Sequence, residues 1–458
     1  MSKAVKIIVG LALIYIGRWE LGLKTLAGAF LVNLGVSLVL SGIADALTPK
    51  PRLPGDPGIM QEYSGGVESR RIIYGTMRVS GMNVIPPWTS GTSREMLHQV
   101  LAIAGHEVNS ITNVYFGQQA IASADIGAIT DAATDGVVTG SSGFANRAWI
   151  RRKTGTTSQT VDYILDTAFS DWTSSHRGRG VAYLALQYKY DTTVYSHGKP
   201  EVTCIVNGKK TYDPRLDVTP GASPTNASYI TFNHNPALAL ADYLMDANLG
   251  PGELSTRINW TDVVTAANIC DETPAIPPST TQPRYTCNVV IQATDPYQET
   301  VAMLAGAMLG HCVYSSGKWS MKAGAWSASA FTITDADLVG PIEVRTDVPR
   351  KDKYNFVRGW FLDPARSYAQ GEFQPTSNSS YETADGERIT KEIQLPACTN
   401  EFECQRNAII LNRLGRRRLS ATLQCGMSLY KAKIFETGTA TISELGWVAQ
   451  PVRMMGWT

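Results

Sequence analysis

Residues 25–44, TLAGAFLVNLGVSLVLSGIA, carry no charged side chain. A run of that length and polarity has the ~20 residues a membrane-spanning helix needs; otherwise it must be buried among other helices. A second apolar run, IIVGLALIYI at residues 7–16, precedes it across Arg18, Glu20 and Lys24. Glycines recur in both runs every seven residues: Gly10 and Gly17, then Gly28, Gly35 and Gly42. Seven residues are nearly two helical turns, so these glycines share one face. A glycine there costs ~1 kcal/mol relative to alanine, but it lets another helix approach closely. The five glycines are therefore the candidate helix-packing or membrane face, in a bundle between copies of the chain or in a bilayer. A cleaved signal peptide fits less well, because Arg18 and Trp19 stand where small residues should precede cleavage. Thr48-Pro49-Lys50-Pro51, then Pro54 and Pro57, end the segment and read as a linker through residue 68.

The rest of the 458 residues reads differently. Hydrophobic residues make up 43% of the whole chain, too many for a disordered one, and the length suits two to four domains. Charged residues make up 18%, below the usual ~25%, which suggests surface buried against partners. The net charge of +1 argues against a dedicated nucleic-acid binder, though not against a local basic patch. Forty glycines, 23 prolines, 10 tryptophans and 19 tyrosines favour a turn-rich, largely β protein.

Local patterns predict the elements. Residues 69–84 alternate as a strand pair punctuated by Gly75 and Gly81, and residues 98–121 hold two more β runs. Residues 125–145 are rich in small polar residues and read as an exposed loop. A strand and short helix follow from Trp149, with Val161, Ile164 and Leu165 on the helix's apolar face. In the strand at 179–191, Leu184, Leu186 and Tyr188 face one way and Tyr183 and Ala185 the other. Residues 198–215 look like a hairpin turning at Asn207-Gly208. Asn235-Pro236 opens a helix that ends near Asn248, with asparagine as cap and proline at the first helical position. Thr261–Cys270 is a second helix, and 283–292 a strand. Asp295-Pro296 starts a helix with Gln298 in reciprocal capping position. A hairpin over 311–324 turns at Ser316-Gly317. A strand at 354–362, a helix at 401–414 and a last strand beginning SATLQC complete the series.

No motif for catalysis stands out. There is no GxSxG, HExxH, P-loop or GxGxxG after a strand. His98, His106, His176, His197, His234 and His311 show no metal-ligand spacing, and the carboxylates suggest no acid–base pair. No enzymatic activity, cofactor or metal is expected. The seven cysteines include no CxxC; they read as reduced, buried thiols, with one local disulfide across Cys398–Cys404 as the alternative. Arg413, Arg416, Arg417 and Arg418 form the one basic cluster, read as a solvated helix end or, alternatively, a contact with phosphates or an acidic partner.

Several ordered segments then acquire meaning together. Ile73-Tyr74-Gly75 with Arg78-Val79 comes first, followed by Gly180–Leu184 and Gly198-Lys199-Pro200. Val206-Asn207-Gly208-Lys209-Lys210, Tyr212-Asp213-Pro214-Arg215 and Asn235-Pro236-Ala237-Leu238 come next, the last leading to Asp242-Tyr243-Leu244. Pro283–Asn288, Gly317-Lys318-Trp319, Asp352–Asn355 and Asp363-Pro364 complete the order. Over residues 70–450 this resembles the tail tip hub proteins of long-tailed bacteriophages, the family of the tail tip protein J of lambda-like phages and its wider tail-protein relatives. The first fifty residues depart from that pattern and look more like the glycine-rich apolar tail of a neighbouring tail assembly protein.

The resemblance implies an α+β, β-rich multidomain fold, with barrel- or sandwich-like hub domains and short helices behind an apolar N-terminal helical segment. The expected units are 1–50, the linker 51–68, a first hub domain at 69–225 with an inserted β-rich region at about 125–220, a second at 226–345, and further hub domains from 346 to 458. It implies a virion protein made in the host cytoplasm: a homotrimeric hub at the tail tip that closes the tube and adapts sixfold to threefold symmetry. Its implied partners are distal tail and tail tube proteins, fibre or spike proteins, the tape-measure protein, passing DNA and, during ejection, the host membrane. The alternative from another class is a membrane-anchored envelope protein with a β-rich soluble body, held by Thr25–Ala44. A tail-associated cell-wall hydrolase is a third, for which the acidic or histidine constellations are lacking.

Overall fold

The computed structural model describes residues 69–127, 136–140, 143–276, 280–346, 353–416 and 419–456. The candidate glycines Gly10, Gly17, Gly28, Gly35 and Gly42, and Thr25–Ala44, lie outside them. The fold is α+β and β-rich, built from several small sheets. The described helices are α1 (Tyr163–Ala168), α2 (Pro236–Met245), α3 (Trp260–Asp271), α4 (Tyr297–Ala307), α5 (Ser379–Asp385) and α6 (Glu401–Leu414). The sheets stack as layers, and none of the described ones closes into a barrel.

Two sheets form a sandwich. One orders Met82–Asn83, Met96–Ala104, Ala182–Lys189 and Ala148–Lys153, with Trp88–Ser90 also on Met96–Ala104. The other orders Thr76–Ser80, Val202–Asn207, Ser110–Phe116 and Gln119–Ile121. Met77, Val79, Leu101, Val114, Leu184, Leu186 and Val206 fill the space between them. The central strand Ala182–Lys189 is buried on both faces, so nearly every position is apolar. Leu184, Leu186 and Tyr188 face the sandwich core, while Tyr183 and Ala185 meet Leu165 of α1 and Trp172. The expected alternation is thus confirmed, with a second apolar layer where solvent would otherwise lie.

Asn207-Gly208 does not turn a hairpin. Val202–Asn207 pairs with Thr76–Ser80 and Ser110–Phe116, whereas Thr211–Tyr212 pairs with Ile230–Thr231. The chain leaves the sheet at Gly208 and runs beside the first strand, Gly208 N donating to Gly75 O and Lys209 N to Ile73 O. The strands at Arg71–Tyr74 and Thr76–Ser80 likewise do not pair with each other; the first pairs with Val289–Gln292. The stretch read as an exposed loop at 125–145 is partly built in, because Val138 is fully buried and bridges Ile126.

A helical layer packs on that first strand pair. α2, α3 and α4 share a core with Ile72, Tyr74, Val289 and Ile291, and with Met321 of the hairpin His311–Ser315/Lys318–Lys322. α2 begins as expected: the Asn235 side chain accepts from Ala237 N (3.0 Å) and Leu238 N (3.4 Å), with Pro236 following. α2 is buried almost all round, which explains its run of alanine and leucine. The reciprocal cap expected at α4 is not formed; Asp295 Oδ2 instead accepts from Gln292 N (2.9 Å), tying the helix entry to the preceding strand. Ser316 and Gly317 both have positive φ, 53° and 78°, as the two-residue hairpin turn requires.

The C-terminal third is interleaved. Phe356–Asp363 pairs with Ala369–Glu372, Thr376–Ser377 and Thr390–Leu395, and α6 packs on that sheet around Val357, Phe373, Cys404 and Ala408. Strands from either side of this unit meet each other. Phe331–Thr334 pairs in parallel with Thr437–Ile442, and Leu338–Arg345 pairs with Ser420–Cys425. The strands Thr437–Ile442 and Trp447–Arg453 lie beyond the SATLQC strand expected to be last. Ile333, Leu429, Ala440 and Ile442 form the small core there.

Candidate functional site

Among the described residues, no three His, Cys, Asp or Glu side chains gather as a metal site. The histidines are individually accounted for. Burial lowers His106 to about 4, so its ring is neutral at pH 7. Its Nδ1–H donates to Glu107 O (2.7 Å) and its Nε2 accepts from Ile73 N (2.9 Å). His98 and His311 are lowered to about 4 by burial and a nearby arginine. His176 and His197 hydrogen-bond to neighbouring loop residues. Arg416 pairs with Asp385 and lies over the Tyr381 ring, so this part of the basic cluster is engaged within the chain; Arg417 and Arg418 lie outside the described residues. No described helix is long and apolar enough to cross a membrane.

The structure does bring the scattered segments of the sequence together at one joint. Tyr74 Oη donates to Asp242 Oδ2 of α2 (2.6 Å). Lys209 Nζ reaches the same oxygen (2.6 Å) and Asp246 Oδ2 (2.7 Å). Burial opposes the charge on Lys209, yet the two carboxylates keep its pKa above the usual lysine value. Burial likewise opposes ionisation of Asp246, and Lys209 outweighs it. Burial and Asp242 push the Tyr74 phenol well up, so it serves as a donor. Tyr74, Lys209 and Asp242 come from three separate sequence segments, and this ion cluster fastens the sandwich to the helical layer.

Segment 283–288 lies between the helical layer and the C-terminal third. Asn288, 5% exposed, is its pivot. Its Oδ1 accepts from Thr76 N (2.8 Å) and His234 Nδ1 (2.8 Å). Its Nδ2 donates to Thr399 Oγ1 (2.9 Å) and its backbone N to Ala397 O (2.8 Å). One side chain thus touches the sandwich, the helical layer and the loop before α6. Glu403 of α6 grips the same segment, accepting from Thr286 N (2.8 Å) and Thr286 Oγ1 (2.7 Å). Burial raises the Glu403 carboxyl to about 7, and the Thr286 bonds limit the rise. Arg406 Nη2 adds a bond to Arg284 O (2.8 Å). Further out, Arg215 of the YDPR segment clasps Asp213 and Asp271 of α3 (2.7 Å each).

Sequence reasoning singled out Tyr74-Gly75, Asn207–Lys209, Asn235-Pro236, Asp242 and Pro283–Asn288, and all of these meet at or beside the joint. It did not single out His106, Asp246 or Glu403, because a lone ionisable residue in an amphipathic segment gives no sign that it will be buried.

The other notable feature is a surface. Trp326, Val339, Met427, Tyr430 and Val448 are 71–89% exposed, all around the C-terminal β unit. Among the described residues, Trp447–Arg453 has one strand neighbour and lies at the edge of its sheet. Exposed apolar side chains and unpaired strand edges are features that association surfaces commonly carry.

A family model described as putative phage tail protein matches residues 297–431. A chain in the solved virion of a native gene transfer agent particle superposes with a TM-score of 0.62 at 14% identity, covering 94% of this chain and 93% of that one. The 43 kDa tail protein of prophage MuSo2 from Shewanella oneidensis aligns over 84% of this chain and 92% of its own at 9% identity, with a TM-score of 0.27, too low for a shared fold. No curated protein matches the sequence. The chain is therefore similar to phage tail proteins in sequence over 297–431, and similar in fold to a virion component over most of its length.

Proposed function

We propose that this chain is a structural protein of a bacteriophage-type tail and forms the hub at its distal end. The observation that carries the reading is the tail-protein match at 297–431. It is supported by the fold likeness to a virion chain and by the joint, which takes up the segments that carry the resemblance in bonding one layer to the next. In this reading three copies close the tail tube, adapt sixfold to threefold symmetry and anchor fibres or a spike. The open β edge and exposed apolar groups of the C-terminal unit meet neighbouring subunits, and opening of the hub releases the tape-measure protein and DNA. Residues 69–225 and 226–345 are the first hub units, 346–458 the further ones, and 51–68 the linker. Residues 1–50 plug the lumen or enter the host membrane, with Gly10, Gly17, Gly28, Gly35 and Gly42 as the close-packing face.

The test is mass spectrometry with threefold-averaged electron cryomicroscopy on purified particles. Three copies at the tail tip are expected. Absence from particles, with the protein in a detergent-soluble membrane fraction, would overturn the reading.

A further inference from the structure

The loop that receives Asn288 and the helix that receives Thr286 are adjacent in sequence, and each carries a cysteine. Cys398 stands between Ala397 and Thr399, the two residues bonded to Asn288. Cys404 follows Glu403, the residue bonded to Thr286. The Cys404 thiol donates to the Cys398 sulfur across 3.1 Å. Both are buried, at 0% and 3% exposure. A disulfide is ~2.05 Å long, so closure requires about 1 Å of approach. The Cys398 thiol donates to Asn400 O (3.3 Å), and it is among the neighbours that hold down the Glu403 carboxyl's raised pKa. Asn400 caps α6 by accepting from Phe402 N and Glu403 N, which fixes the loop against the helix start.

We propose that Cys398 and Cys404 are an oxidation site: a dithiol when the chain folds in a reducing cytoplasm, closing to a disulfide on exposure to peroxide outside. The bond would staple the Asn288 clamp to the Thr286 clamp. The chemistry balances with hydrogen peroxide as oxidant. The Cys398 proton passes to the Glu403 carboxylate and the sulfur attacks one peroxide oxygen. An S–O bond forms, the O–O bond breaks, and the departing hydroxide takes the proton from Glu403 and leaves as water. The Cys404 sulfur then attacks the Cys398 sulfenic acid; the S–S bond forms, the S–O bond breaks, and the hydroxide leaves with the Cys404 proton. Two thiols and one peroxide give one disulfide and two waters. Burial holds the Cys398 thiol well above its ordinary pKa, so thiolate is scarce and closure is slow without the neighbouring base. A slow step suits a lasting crosslink better than a rapid sensor. The pairing rests on the joint alone, whereas closure outside the cell rests on the proposed virion role; the peptide map tests the first without the second.

The experiment uses the full chain. After peroxide treatment at pH 7.5 the protein is denatured, its free thiols are alkylated, and it is cut with trypsin. Both cysteines fall in one tryptic peptide, residues 392–406. That peptide is expected to lose two hydrogens, resist alkylation and regain both thiols with a reductant. Cys404→Ser is expected to leave Cys398 as a sulfenic acid trapped by dimedone, and Glu403→Gln to slow closure at least tenfold. The oxidised wild type should melt at a higher temperature than the reduced form, reversibly. Full alkylation of both residues after peroxide, or pairing of either with another cysteine, would overturn the proposal. Because the peptide map is read on the wild type, a variant that fails to fold does not blur the result.

Discussion

A β-carbon on Gly75 would lie 2.3 Å from Asn288 Oδ1 and 2.2 Å from Cys287 O. The glycine of the IYG segment is therefore what admits the pivot of the joint. Its φ of +66° also lies in the left-handed region that other residues adopt at a cost. Gly75→Ala should destabilise the chain by about 3 kcal/mol or more, because a backbone oxygen cannot swing aside. Gly117 offers the control: φ +60° with nothing within 4 Å of a β-carbon, so Gly117→Ala should cost only the ~1–2 kcal/mol of strain. Denaturant melts of both variants measure the difference. Equal losses would mean that the contact at Gly75 relaxes freely.

Lys209 should be costly to neutralise. Lys209→Met leaves Asp242 and Asp246 facing each other in a largely buried place, which should cost about 3–5 kcal/mol. Changing both aspartates to asparagine in the Lys209→Met background should recover most of it, since the loss comes from unpaired charge rather than lost volume. Unfolding midpoints of the single and triple variants test this. No recovery in the triple variant would point to packing of the lysine stem instead.

Glu403 gives the joint a pH dependence. Its folded pKa of about 7 lies above the unfolded carboxyl value, so the folded state binds more protons between about pH 4.5 and 7. Its contribution is therefore full below the unfolded pKa and is lost as pH rises through about 7, by up to about 3 kcal/mol. Glu403→Gln can keep both bonds to Thr286 without the charge. The variant should gain on wild type as pH goes from 5 to 8, a difference read from thermal melts at the two values.

His106 has the opposite sign. Its folded pKa of about 4 lies below the ordinary 6.5, so the unfolded state binds the extra proton in that window. Stability should fall as pH drops from 6.5 to 4, by up to about 3 kcal/mol from this residue. His106→Ala should be weaker at pH 7, because Ile73 N loses its acceptor, yet show a flatter acid limb. Protonation would also turn Nε2 into a donor facing the Ile73 N–H, so hydrogen exchange at that amide should rise first.

The sequence was most legible where structure is local. The asparagine cap and proline of α2, the turn at Ser316-Gly317, and the two faces of Ala182–Lys189 follow from backbone preference and period-two patterning. Pairing was not legible. Nothing within RIIY says that it joins VVIQ some two hundred residues later, and Asn207-Gly208 resembles a hairpin turn although its strand already has two neighbours. Which edges meet is decided by how whole layers pack. The joint was half legible: its glycines and asparagines carry the resemblance, whereas Glu403 and His106 owe their behaviour to burial that no short window encodes.

The pairing of Arg71–Tyr74 with Val289–Gln292 also sets a timetable for a nascent chain. At ~5–20 residues per second on the ribosome, the early strand waits on the order of ten to forty seconds for its partner. Through that interval an apolar strand, IIY among its residues, stands with an unpaired edge. The strand at Phe331–Thr334 likewise waits for Thr437–Ile442. A chain broken off before Val289 would thus display the first strand unpaired, and one broken off between Thr334 and Thr437 the second, which makes either a natural client for chaperones and proteases and keeps half-made copies out of any assembly.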